Sequence, residues 1–503
     1  MMLFSIDKNS EIPLFIQIRN QLKAAIEDGV LKAGYRFPSV SELSSEAGVT
    51  AATVRRAFQD LSDWRMIESF VGRGTFVADL RPRNDTRTRE ESTAHSETVS
   101  TARRLRMGIT KNLSDLLTMA QKPGVISFTR GVGDSETLEE GVLTDLVKKA
   151  LAKGESDYWD YGDPRGLPGL REAVASLYRE RGLSVNADQI LITSGSQQAV
   201  ALLAQEAGES GWRVLCETPC YMGVPNAFGA FGHWVETIPR DTEGPLPDRL
   251  NYFQDNITSL LYICPVLHNP MGTDISPERR EMVAQWARDN SSYILSDEVN
   301  RDLRIDGEEP LSFLSGSDPD RAIVLGSLSK SFMGGLRVGW LAASGERVRS
   351  LAQLKKAMDI ACPPLMQGAA LSLLTGDYFP SHIGKIRAHY KTRRDICLES
   401  LNEYMPSSVR WTVPRGGIQL WVTLPEGYSS VALYLKAVEN GAAFLPGPLQ
   451  DISNRFVNSF RLCYGSLEPD DVREGIKRIA DAAGELLSAP PGRSDLNGLG
   501  DYI

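Results

Sequence analysis

The stretch LGSLSKSFMGGLRVGW, Leu325 to Trp340, decides how the larger part of this chain is read. One lysine, Lys330, stands among serines and glycines, and Arg337 follows on the same stretch. An amine held near backbone amides and a guanidinium is already close to positive charge. That lowers its pKa and suits it to form a Schiff base with a carbonyl compound. Alone, the stretch fits equally well a solvated loop with two surface cations. The surrounding sequence separates these readings.

From about residue 108 to 488, short apolar runs alternate with amphipathic helices. RVLCET, SLLYICP, YILSDE and AIVLGS read as buried strands, each followed by glycine, proline or a helix. This pattern predicts an α/β layered domain with a largely parallel sheet. Polar residues stand where these strands end, and open sheets bind ligands there. Ile192-Thr-Ser-Gly-Ser-Gln-Gln198 opens a helix, and such a turn presents free N–H groups to an anion such as phosphate. Tyr221, in ETPCY, is either a flat apolar surface or a core residue. His268-Asn-Pro-Met-Gly272 is a turn that offers the amide of Asn269, or a plain β-turn. Asp297 ends the run YILS as a cap or as a partner for a buried cation. Arg461, in NSFRLCY, would by itself be an ordinary strand-end cation.

In this order, S-G-S-Q-Q, N-P-x-G, D-E-V and S-x-S-K with a later arginine resemble the fold-type I pyridoxal-phosphate (PLP) enzymes, the aspartate aminotransferase superfamily. The resemblance implies that Lys330 forms the internal aldimine and that Asp297 pairs with the pyridinium nitrogen, keeping the ring an electron sink. It implies that Asn269 hydrogen-bonds the ring O3′ and that Tyr221 stacks on the ring. Ser194, Gly195, Ser196, Gln197, Ser327 and Arg337 would hold the phosphate. Arg461 would clamp a substrate or effector α-carboxylate through a bidentate pair. Tyr161, in DYGDPRG, would reach the phosphate of a neighbouring subunit, which implies a homodimer. One position departs: where the family usually has a tyrosine donating to O3′, this chain has Asn300, a shorter donor that cannot act as a phenolate.

Residues 11–80 read as three helices and a hairpin. Leu14, Ile18, Leu22 and Ile26 recur every four residues in a helix that ends at Gly29. Ser39 and Glu42 form a capping box for a second helix that stops at Gly48. Thr50 caps a third, with Val54, Phe58 and Leu61 on one face. MIESFVGRGTFVAD then alternates around Gly72-Arg-Gly74, a hairpin with Arg73 at its tip. The pattern predicts an α+β winged helix-turn-helix. It resembles the N-terminal domain of the GntR regulators in Pro13–Ile18, Pro38–Ser39, Thr53–Arg55 and Gly72–Val77. Arg55, Arg56 and Arg73 are candidate contacts to DNA phosphates or bases, and Ser39, Thr50 and Thr53 candidate hydroxyl contacts. Against this, family members often carry arginines where this chain has Ser41 and Ala51, and Arg55 and Arg56 also fit a solvated helix face.

The chain has 503 residues, too many for one core, with 42% hydrophobic and 24% charged residues. Residues 81–107, rich in Thr, Ser, Arg and Glu, read as a flexible linker, and 489–503 as a C-terminal tail. No apolar run is long enough to span a membrane, and no signal peptide is evident. Six scattered cysteines fit reduced buried thiols in a cytoplasmic protein; Cys216 and Cys220, spaced like a metal pair, have no second pair beside them. A net charge of −9 opposes nonspecific nucleic-acid binding by the chain as a whole but does not restrict one local face. A winged helix, a linker and an aminotransferase-like domain together resemble the MocR subfamily of GntR regulators. That resemblance implies a PLP-dependent transcriptional regulator that binds operator DNA as a homodimer and senses PLP or an amino compound. The alternative is a working PLP-dependent aminotransferase with a residual winged helix.

Overall fold

The structure is a computed structural model that describes residues 14–27, 30–32, 34–63, 66–70, 74–77, 118–154, 158–255, 257–316, 318–453 and 455–490. The chain divides into two compact units, Met1–Arg103 and Arg104–Ile503. The expected linker, 81–107, and Arg73 lie outside the described residues.

In the first unit, helices α1 (Leu14–Glu27), α2 (Val40–Ala47) and α3 (Ala51–Asp63) precede strands β1 (Ile67–Phe70) and β2 (Gly74–Val77). The period-four stripe of α1 buries Ile18, Leu22 and Ile26 against Val54, Phe58 and Leu61 of α3. The capping box forms as read. Ser39 Oγ accepts from the Glu42 N–H at 3.2 Å, and Glu42 Oε2 accepts from the Ser39 N–H at 2.7 Å. Gly48 ends α2 in the left-handed region at φ 60°. Thr50 Oγ1 accepts from the Thr53 N–H at 3.2 Å and starts α3. Strands β1 and β2 pair antiparallel, Ile67 opposite Val77.

The second unit holds strands β3 (Ile126–Ser127), β4 (Ile190–Thr193), β5 (Arg213–Thr218), β6 (Val235–Asp241), β7 (Gly244–Pro245), β8 (Ser259–Ile263), β9 (Tyr293–Asp297), β10 (Ala322–Ser327) and β11 (Gly339–Ala342). Strands β12 (Arg410–Trp411), β13 (Gln419–Thr423), β14 (Ala442–Ala443), β15 (Leu445–Pro446) and β16 (Ser459–Cys463) follow. An eight-stranded sheet has the order β4-β11-β10-β9-β8-β5-β6-β7. Its middle, from β10 to β6, is parallel, as the four apolar runs predicted. Strand β11 runs antiparallel to both neighbours, and β7 is antiparallel to β6. Apart from Arg213 and Tyr293 at their first positions, the central strands are buried, which accounts for their apolar runs. A four-stranded sheet, β12-β13-β16-β15, packs with the helices Tyr378–Tyr404 and Pro469–Ser488 around a second core. The last helix ends at Ser488, where the sequence reading places the start of the tail.

Candidate functional site

At the ends of β4, β5, β9 and β10 the structure brings Ser194, Gln197, Tyr221, Asp297, Lys330 and Arg337 together with Asn269 and Arg461; no contact ties Tyr161 to them among the described residues. Ser327 closes β10 and caps the helix Leu328–Ser331 with its hydroxyl, which accepts from the Ser329 N–H at 3.1 Å. That cap fixes the turn from which Lys330 projects. The Lys330 ammonium donates to the Gly131 carbonyl. Burial holds the amine below the ordinary lysine value; Cys463 opposes this, Arg461 adds to it and Asp297 opposes it. The depressed pKa therefore arises chiefly from desolvation. Arg337, which the sequence placed as the nearby cation, is not among its causes.

Asp297 ends β9 and is buried. Its Oδ2 accepts from the Tyr262 hydroxyl at 3.0 Å and its Oδ1 from the Val299 N–H at 3.3 Å. Burial raises its carboxyl to about 6, against the lowering pull of these two donors and of Lys330. A carboxylate desolvated in this way gains from a cationic partner. Arg461 on β16 donates through Nη1 to Asn269 Oδ1 at 3.0 Å and through Nη2 to the Thr129 carbonyl at 2.9 Å. Its Nε is buried with no hydrogen-bond partner. Two expected ligands thus meet, and an unsatisfied guanidinium N–H stands beside them. Asn300 is buried, and its amide nitrogen donates to the Leu267 carbonyl at 3.0 Å. One of its two amide protons is therefore committed to the turn that carries Asn269.

The small-residue turn after β4 leads into a helix N-terminus and lies against Arg337. Arg337, at φ 53°, donates through Nη2 to the Ser194 carbonyl at 2.8 Å. A Cβ on Gly195 would stand 2.7 Å from that Nη2, so only glycine lets the guanidinium close on the turn. The helix Ser196–Ser210 begins here, and its first amides have no acceptor within the helix. Tyr221 is partly exposed, and its hydroxyl lies 3.4 Å from Gln197 Oε1. A side chain on Gly223 would strike the Tyr221 ring at 2.4 Å, so this glycine leaves the ring its place. Tyr161 is 67% exposed on its own chain. A phosphate-bearing aldehyde with a basic ring fits this set. The turn after β4 offers a helix N-terminus, the end of β9 a buried carboxylate, the helix Leu328–Ser331 an amine of lowered pKa and β16 an orphan guanidinium N–H.

Sequence reading missed several supports. Tyr262 on β8 looked like one more apolar strand residue, yet it holds Asp297. Glu217, Arg240 and His268 form a buried cluster: Arg240 Nε lies 3.3 Å from Glu217 Oε2, and His268 Nε2 lies 3.2 Å from Glu217 Oε1. His268 Nδ1 accepts from the Met271 N–H at 3.2 Å, so the ring proton sits on Nε2, facing Glu217. Burial, with Arg240 beside it, lowers His268 to about 4. The cluster ties the Asn269 turn to the end of β5, just ahead of Tyr221. A charged residue within an apolar run, as in RVLCET, was the available signal. All six cysteines are buried and free.

In the small unit, Arg55 and Arg56 are exposed on α3. The Arg56 guanidinium carbon lies 5.4 Å from the Phe15 ring centroid, so part of its surface is held by its own domain. The hydroxyls of Ser39 and Thr50 serve first as caps, and Thr53 Oγ1 lies 2.9 Å from Thr50 Oγ1. Arg36, overlooked in the sequence, bridges to Phe76 of the wing and lies against Gly74.

The family model "aminotransferase class I and II" matches residues 125–479. The chain belongs to the class I and II aminotransferase family. Ahead of that domain, the model of the gntR family of bacterial regulatory proteins matches residues 16–77. This aminotransferase-family chain therefore carries a GntR helix-turn-helix domain, the order found in the MocR subfamily. The uncharacterised HTH-type transcriptional regulator YdfD of Bacillus subtilis is 26% identical over 96% of this chain and 98% of its own length. Aromatic-amino-acid aminotransferase 1 of Thermococcus litoralis is 32% identical but aligns with 75% of this chain, over 92% of its own length. The crystal structure of Pyrococcus horikoshii kynurenine aminotransferase with PMP superposes at a TM-score of 0.70 and 29% identity, covering 75% of this chain and 95% of that one. No described helix is long and apolar enough to cross a membrane.

Proposed function

We propose that this chain is a PLP-dependent transcriptional regulator. Its winged helix binds operator DNA, and its aminotransferase-like domain senses PLP or an amino-compound effector at Lys330. The observation that carries this reading is the likeness to YdfD, which runs through both domains and nearly the full length of both chains. The site supports the cofactor part. Bound there, PLP would supply an aldehyde for amines and an electron-withdrawing ring. Ser194, Gly195, Ser196, Gln197, Ser327 and Arg337 form the phosphate turn and its surroundings. Asp297 would face the ring nitrogen and hold its proton, and Asn269 and Asn300 would serve the ring oxygen. Tyr221 offers its ring face, and Arg461 offers its guanidinium to a carboxylate. Tyr161, exposed on its own chain, is free to complete the site of a second copy in a homodimer. DNA affinity changes only if the effector binds one arrangement of the domains more tightly than another.

A second reading, a working aminotransferase, is favoured by the presence of lysine, aspartate and arginine together and by the 32% identity to a named aminotransferase. Asn300 in place of a phenol weighs against efficient turnover. The test uses purified protein supplied with PLP. Wild type should turn yellow and yield a borohydride-fixed adduct that Lys330→Ala lacks. Its binding to DNA from upstream of its own gene should weaken with salt and shift when an effector amine is added. Multiple turnover between an amino donor and a keto acid, without DNA binding, would establish the enzyme instead.

A further inference from the structure

Behind the phosphate turn runs a line of side chains that the roles above do not use. Lys355 has no exposed surface, and its ammonium donates to Asp359 Oδ1 at 3.2 Å. Gln198 Nε2 donates to Asp359 Oδ2 at 2.5 Å, and Gln198 Oε1 accepts from the Ser194 N–H at 2.7 Å. A carboxylate only accepts hydrogen bonds and an ammonium only donates them. Asp359 therefore compels Gln198 to turn its NH2 outward and its oxygen toward Ser194. The Cys362 thiol, 3.6 Å from Gln198 Oε1, points to the same oxygen. With the Ser194 N–H taken by Gln198, the Ser194 carbonyl by Arg337 and the Gly195 N–H by the Thr193 carbonyl, the turn is held at three points. What it offers an anion is the pair of leading helix amides, Ser196 and Gln197.

We propose that Gln198, oriented by the Asp359–Lys355 pair, is the positioning residue of the anion turn. On this view Lys355 compensates a carboxylate that would otherwise repel the bound phosphate. The inference rests on the cofactor reading above and assigns it three residues that do not touch the cofactor. A positioning role of this kind acts on the phosphate alone, so it separates PLP from pyridoxal, which lacks one.

The test titrates both aldehydes into the full-length chain, freed of cofactor, and follows absorbance. Gln198→Met should weaken PLP binding about tenfold, the scale of one charge-assisted hydrogen bond. It should leave pyridoxal affinity unchanged. Lys355→Met should also weaken PLP selectively, and its loss should shrink as salt rises, because repulsion from the bared Asp359 is screened. If Lys355→Met does not fold, Lys355→Gln, which keeps a donor for Asp359 but not the charge, serves in its place and should show the same salt-dependent loss. Equal losses for both aldehydes, or no loss for either, would overturn the proposal. A wild-type chain that binds neither aldehyde overturns the cofactor reading itself, and this inference with it.

Discussion

Asp297 shows how burial changes the acidity of a carboxylate at a strand end. Its pKa rises from 3.8 to about 6 through burial. Between those values the folded chain holds a proton that the unfolded chain has released. Stability from this group is thus complete below about pH 4 and is lost as pH rises through about 6. Above pH 6 the ionised, buried group costs on the order of 3 kcal/mol. Asp297→Asn, which keeps an acceptor for Tyr262, should therefore raise the thermal stability of the cofactor-free protein at pH 7.5. The difference from wild type should vanish near pH 4. Melting curves at the two pH values check this. Asp297 was legible as a candidate because it ends an apolar run. Tyr262 was not, since a buried tyrosine and a buried phenylalanine look alike within a strand.

At the scale of elements, capping decides where the helices of the DNA-binding domain begin. The Ser39–Glu42 box satisfies two amides that α2 leaves unpaired. Ser39→Ala should destabilise this domain by about 1 kcal/mol, measured as a shift in its denaturant midpoint. Such a loss must be subtracted before any effect of the substitution on DNA binding is assigned to a phosphate contact. Helix periods and the capping box could be read directly because their partners lie within four residues. The antiparallel insertion of β11 between β4 and β10 could not. GWLA is only four residues long, and its direction depends on pairing with β4, far back in the chain.

For the whole molecule, each unit has its own buried core: Ile18, Leu22 and Val54 among others in the first, and separate clusters in the second. Removing residues 1–80 should therefore abolish DNA binding and leave PLP binding intact. Mobility-shift and spectral titrations of the truncated chain would show it. Loss of both would mean that the aminotransferase domain depends on the segment removed.

The sequence by itself determined the two-domain order, the parallel strands and the motifs around Lys330, Asp297, Asn269 and Ser194. These are carried by local periodicity and by residue types that few other sites demand together. Only the tertiary structure decided who holds whom. Burial, with Asp297, Arg461 and Cys463 around it, sets the basicity of Lys330. Asn300 serves the Leu267 turn, and Gln198 is turned by Asp359 and Lys355, which lie far along the chain. Desolvation and hydrogen-bond direction depend on neighbours brought together by folding, and no spacing within a strand or helix encodes them.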